Sequence, residues 1–385
     1  MLESRISNER RPKYIIPFQI SKEQCKKAYS SYTRKYIFAP GQLKKSKYIN
    51  SFRGIYMPYW TYDIEQNGSV CIPAKFSKKK DHCLYVDYYE ITIPIKAAYK
   101  GLSFDASSSF DDSISNYIAP YDVNGVKEFV PSILSGFYAD TQDVESRTYV
   151  YDAKDLVFNT SFDKVAKDPV FKGLEIEKDK IIRDRNFNTE CKSAEISLFP
   201  VWFMSYRNKD RVAYAVVNGQ TGKVSADMPV DMAKYVISSF ILMIPIFLLF
   251  ELFLPATPMF MLSAASVLAI IMQFIYYKEL TAIIRKKTRT HDRGYIAANK
   301  KRRKEKKNEL TESKGAPVFL LSFITVLTGL IVRLIDPASD LFYYITAVLI
   351  LVAVVMNAIG LIGRHNILTT RKLPQFNRHG GDDNA

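Results

Sequence analysis

Past Lys234 the mixed polar and apolar pattern of the first 230 residues gives way to long apolar runs. Four of these meet the requirement of roughly 17 to 25 mostly apolar residues for crossing a hydrocarbon core of about 30 Å. They are Tyr235–Leu254, Pro258–Tyr277, Val318–Ile335 and Leu341–Gly363. A helix in a soluble core keeps a polar stripe, whereas Val236 to Phe250 offers only Ser238 and Ser239 as polar side chains. Pro255, Ala256 and Thr257 alone separate the first run from the second, and Asp336–Asp340 the third from the fourth. The pattern therefore predicts two tight helical hairpins, 235–277 and 317–363, joined by a loop over 278–316 and followed by a tail over 364–385.

Upstream, Tyr14–Gln19 reads as extended, Ser21 as an N-cap with Glu23 and Gln24 behind it, and Lys22–Tyr36 as a helix. After Pro40 and Gly41, Gly54–Asp63 reads as a strand, Asn67 and Gly68 as a hairpin turn, and Ser69–Phe76 as the returning strand. Cys83–Lys96 is a third strand. The same grammar returns in Leu198–Tyr206, a polar turn at Asn208–Asp210, Val212–Val217, and a turn through Asn218, Gly219 and Gly222 before Val224. Pro58 precedes Trp60 as Pro200 precedes Trp202, and we read 54–96 and 198–228 as an internal duplication. Ser132–Asp140 and Ala153–Val170 carry weaker helical patterns with loops. The expected architecture is an α+β domain with antiparallel sheets over 1–230, then an all-α membrane domain of four transmembrane helices.

Composition agrees once it is split. The 385 residues carry 54 Lys and Arg against 39 Asp and Glu, a net charge of +15, and the mean hydropathy of −0.09 averages a polar half with an apolar one. A disordered chain, a collagen, a coiled coil and a disulfide-rich secreted module are excluded. Lys278–Lys314 holds 14 basic and 5 acidic residues, and short loops rich in Lys and Arg stay cytoplasmic. Four crossings then place both termini, and the N-terminal domain, in the cytosol. Arg364, Arg371, Lys372 and Arg378 after the last run agree. Met1–Lys13 has no apolar core of a cleavable signal. Cys25, Cys71, Cys83 and Cys191 lack CxxC spacing, as suits reduced thiols. The expected location is a bacterial cytoplasmic membrane.

Several segments together resemble a known family: Tyr14–Phe18, Ser21–Glu23, Gly54–Trp60, Leu134–Asp140, Phe199–Trp202 and Ala215–Val224. The ordered set, spread over nearly the whole chain, resembles an uncharacterised group of bacterial membrane proteins commonest in Firmicutes. Members of that group usually begin with a zinc ribbon of the transcription-factor-IIB type, built from two CxxC knuckles. This sequence contains no such knuckle, so the resemblance implies membrane attachment here but neither zinc nor an activity.

Candidate chemistry is sparse. Cys71, His82 and Cys83 are the one cluster with metal-ligand character, but a structural zinc site wants four ligands, and adjacent His82 and Cys83 would face opposite sides of a strand. No G-x-S-x-G, GxxxxGK[ST], GxGxxG or HExxH occurs. Asp111 and Asp112 read as a solvated turn in a Ser-rich loop. Tyr56, Tyr59, Trp60 and Tyr62 beside Arg53 could stack nucleobases, although alternating strand aromatics are more often core. Neither a metal, a cofactor nor a catalytic centre is expected.

The functional expectation is a membrane-anchored cytosolic binding protein, not an enzyme, with an unidentified protein or ligand partner. Its structural and binding candidates are Pro58, Trp60, Pro200, Trp202, Asn218, Gly219 and Gly222. Glu251 and Arg333, near the outer ends of the first and third spans, are the candidates to meet or share one polar pocket, the alternative being that each reaches water separately. Lys300, Lys301, Arg302, Arg303, Lys304, Lys306 and Lys307 would contact the anionic lipids of the inner leaflet. The same charges would attract nucleic acid, which makes a membrane-linked nucleic-acid-binding factor the second reading. A small transporter or channel component is the third, with Glu251, Gln273, Arg333 and Asn357 as its few polar groups.

Overall fold

A computed structural model describes residues 11–80, 83–108, 110–177, 180–183, 186–208, 211–253, 257–288, 292–298 and 316–372. Strand β1 (Tyr14–Ile15) leads to helices α1 (Lys22–Arg34) and α2 (Ser46–Ile49). Two long strands follow, β2 (Arg53–Lys80) and β3 (Cys83–Asp105), then α3 (Asp112–Ile118), β4 (Lys127–Glu128), β5 (Tyr138–Ala139) and α4 (Val150–Val165). Short β6 (Glu175–Ile176) and β7 (Ile182–Arg183) precede β8 (Asn188–Asn208), β9 (Arg211–Asn218) and β10 (Val224–Ala226). The remainder is α5 (Met232–Phe253), α6 (Pro258–Thr288), α7 (Arg293–Ala298), α8 (Ala316–Ile335), α9 (Asp340–Leu368) and β11 (Arg371–Lys372).

Two compact units result. The first comprises residues up to Gln19, Ile55–Val201 and Arg293–Ala298. Its frame is β2 paired antiparallel with β3, from Tyr59 opposite Asp105 to Lys80 opposite Cys83. Along β2 alternate residues are buried, Tyr62, Ile64 and Gln66, then Val70 and Ile72 beyond Gly68, the period of a strand with one covered face. The cover is α4, whose buried Ala153, Val157, Phe158, Ser161 and Phe162 recur at helical spacing; Ala153 and Val157 join one apolar cluster with that face, and Phe158 and Phe162 another. One polar chain crosses the interface. Tyr99 bonds Ser161 Oγ at 3.0 Å, Ser161 Oγ donates to Gln66 Oε1 at 2.7 Å, and Gln66 Nε2 donates to Thr189 Oγ1 at 3.3 Å. A buried amide is acceptable there because its bonds are made.

Two sequence expectations change in this unit. Asn67 and Gly68 do not turn the chain; they sit inside β2, opposite Lys96 and Ile95. Gly68 is required for another reason. Its φ is +144°, and a Cβ there would lie 2.5 Å from the Phe187 Cα of the segment crossing it. The sheet is also mixed, not purely antiparallel: β1 runs parallel to β8 (Tyr14 opposite Ser197) and β2 parallel to β5 (Ile55 opposite Tyr138). Both parallel partners are two-residue strands, too short for an alternation signal.

The second unit holds Ile20–Gly54, Trp202–Asp292 and residues from Asn299 onward. Helix α1 starts as expected: Ser21 Oγ accepts from Gln24 N at 3.3 Å while Gln24 Oε1 accepts from Ser21 N at 2.8 Å, a reciprocal capping box. Strands β9 and β10 are antiparallel, and β11 adds to β9. Helices α6, α8 and α9 share an apolar core around Leu262, Ala265, Ala269, Tyr343, Ala347 and Ile350. Among the described residues two helical segments, Pro258–Glu279 and Asp340–Leu368, are long and apolar enough to cross a membrane. Only 22% and 33% of their most apolar stretches are buried. Met232–Pro245 and Phe323–Ile335 are apolar but shorter.

Candidate interaction surfaces

The far end of the β2–β3 ribbon exposes large apolar side chains, among them Leu84, Tyr85 and Tyr88. Residues opposite each other in a ladder share a face, so Lys75 with Tyr88 and Lys79 with Leu84 occupy one side, and Phe76 with Asp87 and Lys78 with Tyr85 the other. Both sides are open: Tyr88 is 75% exposed on the first and Tyr85 58% on the second. Among the described residues β3 pairs with β2 alone, which leaves its outer edge available for strand addition, with Pro94 as its one interruption by a missing N–H. The ribbon is hidden in the sequence because Asn67 and Gly68 read locally as the end of a hairpin. The signal for it is the unbroken strand grammar on both sides of Pro73.

A second surface forms where β3 ends. Ser107 Oγ donates to Asp140 Oδ2 at 2.7 Å and Ser108 N to Asp143 Oδ1 at 2.7 Å. Asp111 caps α3, accepting from Ser113 N at 2.9 Å, and is buried. Asp112 accepts from Tyr149 OH at 3.0 Å and from Arg293 N at 2.9 Å. Arg293 also pairs with Asp152 at 2.8 Å. Burial raises the Asp152 carboxyl above its ordinary range and Arg293 opposes that rise. Asp111 and Asp112 are thus a helix cap and a clasp for α7, not a solvated turn. A shallow cleft of ≈ 360 Å³ opens nearby between Trp60 and residues Gln142 to Arg147.

The residues singled out from sequence fall into packing roles. Tyr56, Tyr59 and Tyr62 are buried, so they build the core and offer no stacking platform. Burial pushes the Tyr59 hydroxyl well up, and it accepts from Ser115 Oγ at 2.8 Å. Trp60 Nε1 donates to Val144 O at 2.8 Å, and Trp202 Nε1 to Ile20 O at 2.8 Å. Pro58 O accepts from Ala106 N at 2.9 Å, and Pro200 O from Tyr121 OH at 3.3 Å. At the β9–β10 turn, Asn218 Oδ1 accepts from Gln220 N and Thr221 N at 2.8 and 2.9 Å. The positive φ falls at Gly222 (+77°) and not at Gly219, whose carbonyl accepts from Ile20 N at 2.8 Å. Cys71 lies opposite Thr92, and Cys83 is exposed opposite Lys80; His82 lies outside the described residues.

Arg333 Nη1 donates to Ser263 Oγ of α6 at 3.0 Å, while the side chain of its candidate partner Glu251 lies outside the described residues. So do Lys300, Lys301, Arg302, Arg303, Lys304, Lys306 and Lys307. Between α6 and α9 runs a polar seam: Asn357 is buried, and Arg364 is hydrogen-bonded to Tyr276.

No family model matches the chain, and no solved structure matches it significantly. The chain is similar to the uncharacterized protein YdjG of Bacillus subtilis (strain 168), 26% identical over 238 residues that cover 61% of this chain and 68% of that protein.

Proposed function

We propose that the chain is a membrane-anchored binding protein: apolar helices hold an α+β domain at the inner face of a bacterial cytoplasmic membrane, where it docks a protein partner and catalyses no reaction. The observation that carries this reading is the apolar exposure of α6 and α9 on the sides turned from their common core. Val267, Leu268, Phe274, Val348, Val352 and Val355 are each at least half exposed. Hydrophobicity on every side of a long helix suits a hydrocarbon solvent and not water. After cell fractionation the chain should sediment with membranes and stay there through alkaline extraction. Release by alkali would overturn the reading.

Four crossings as two hairpins, with the 278–316 loop and both termini cytosolic, is the topology we propose. The basic charge of that loop supports it. So do the ties between the end of α9 and the start of α5, which bring chain entry and exit to one end. The inclusion of α7 in the α+β unit is a third support. Reporters fused after Lys307 and after Ala385 should be active only in the cytosol. The like roles of Trp60 and Trp202 support the proposed duplication of 54–96 and 198–228.

The β2–β3 ribbon favours a second reading, nucleic-acid binding. Tyr85, Tyr88 and Tyr89 are exposed beside Lys75, Lys78 and Lys79, a combination that can stack bases and neutralise phosphates. Salt-sensitive binding of a single-stranded oligonucleotide, lost in Tyr85→Ala/Tyr88→Ala, would select this reading over protein docking.

A further inference from the structure

Arg364 occupies the last turns of α9 and is 9% exposed. Its guanidinium carbon lies 4.0 Å from the centroid of the Tyr276 ring on α6, and Nη2 donates to the Tyr276 hydroxyl. Among the described residues it has no ion pair and no other hydrogen bond, so most of its five donors are unused. Burying a full charge this way is unfavourable unless an opposite charge meets it. The partial negative charge at the helix end offsets only part of that. An arginine at the end of a membrane helix ordinarily extends outward to the headgroups, yet this one turns inward against α6.

A second orphan donor sits on the same helix face. Gln273 precedes Tyr276 by three residues and follows Ala269 by four, on the stripe that packs against α9. Its Nε2 is buried without a hydrogen-bond partner among the described residues. A buried guanidinium calls for a negatively charged acceptor and a buried amide N–H for an acceptor of any kind, and an anion oxygen meets both needs. On these grounds we infer that the α6–α9 seam at Arg364 is an anion site that takes up a phosphate group. Resting on the membrane reading above, the inference places the site at headgroup depth, where a phospholipid phosphate is the nearest source; a dissolved phosphate offers the same chemistry.

The test uses the full chain in neutral detergent, with thermal unfolding followed after adding phosphatidylglycerol, diacylglycerol, which lacks the phosphate, or inorganic phosphate alone. Phosphatidylglycerol should raise the Tm of the wild type by about 3 °C and diacylglycerol should not. A rise with inorganic phosphate and not with the lipid would assign the site to a soluble anion and still support it. Arg364→Gln should abolish the rise. Arg364→Met fills similar volume without the charge, so it should fold, equal or exceed the wild type without anion, and show no rise. No rise in the wild type with either phosphate source, or an undiminished rise in Arg364→Met, would overturn the site. If the chain fails to sediment with membranes, the membrane reading falls, and the inorganic phosphate arm still decides the anion site.

Discussion

Asn366, in the last turn of α9, holds the backbone of Val230 from both sides: its Oδ1 accepts from Val230 N at 2.6 Å and its Nδ2 donates to Val230 O at 2.9 Å. The segment so held leads directly into α5, where Asp231 N donates to Phe38 O at 2.7 Å and Lys234 Nζ to Ala39 O at 2.8 Å. Entry to the helical region and exit from it are therefore stitched together and to the α1–α2 segment, and no free linker intervenes.

If that tie matters, Asn366→Ala should cost about 1 to 3 kcal/mol, because it leaves both backbone groups of Val230 unmatched in a partly buried place. Unfolding of the full chain in detergent measures it. A cost near zero would mean that water takes over both bonds and that the stitch lies elsewhere.

Gly68 makes a sharper demand than a turn glycine would. Since its φ is positive and a Cβ would run into the Phe187 backbone, Gly68→Ala should destabilise by roughly 2 kcal/mol or more. A loss of only a few tenths would show that the crossing segment yields.

At the β9–β10 turn the two glycines should behave differently. Gly222→Val should cost about 1 kcal/mol or more because only position 222 needs positive φ. Asn218→Ala, which removes the acceptor for two turn amides, should cost a similar amount. Equal melting of wild type and Gly222→Val would contradict the turn.

Cysteine labelling reports burial and pH together. Cys25 is fully buried and its thiol is pushed up to about 12 by desolvation, whereas Cys83 is exposed. In the native chain at pH 8, alkylation followed by mass spectrometry should modify Cys83 first and Cys25 only on unfolding. Because the folded thiol titrates above the unfolded one, its share of stability is present in full below about 9 and is lost as pH climbs toward 12. Early modification of Cys25 would place it at the surface.

Much of the architecture is legible in the order of residues. The capping residues at Ser21 and Gln24, the strands on either side of residues 209–210, the turn through Asn218 and the apolar runs of α6 and α9 are local signals. Each depends on residues a few positions apart, and the chain alone contains them. Asn67 and Gly68 mark the limit. As a dipeptide they read as a hairpin, but the glycine answers to Phe187, more than a hundred residues away, and no local rule sees that neighbour.

The same division separates the two halves of the functional argument. The sequence by itself determined that long apolar helices follow a polar domain and that the loop between them is strongly basic, because hydropathy and charge are sums over neighbouring residues. Only the tertiary structure decided that Tyr56, Tyr59 and Tyr62 are core while Tyr85 and Tyr88 are surface, since both sets sit in similar strands and differ only in whether another element covers them. It alone also set Arg364 against Tyr276 and turned Asp112 toward Arg293. A side chain's partner is chosen by the packing of distant segments, and a charge gains its meaning from what stands opposite it.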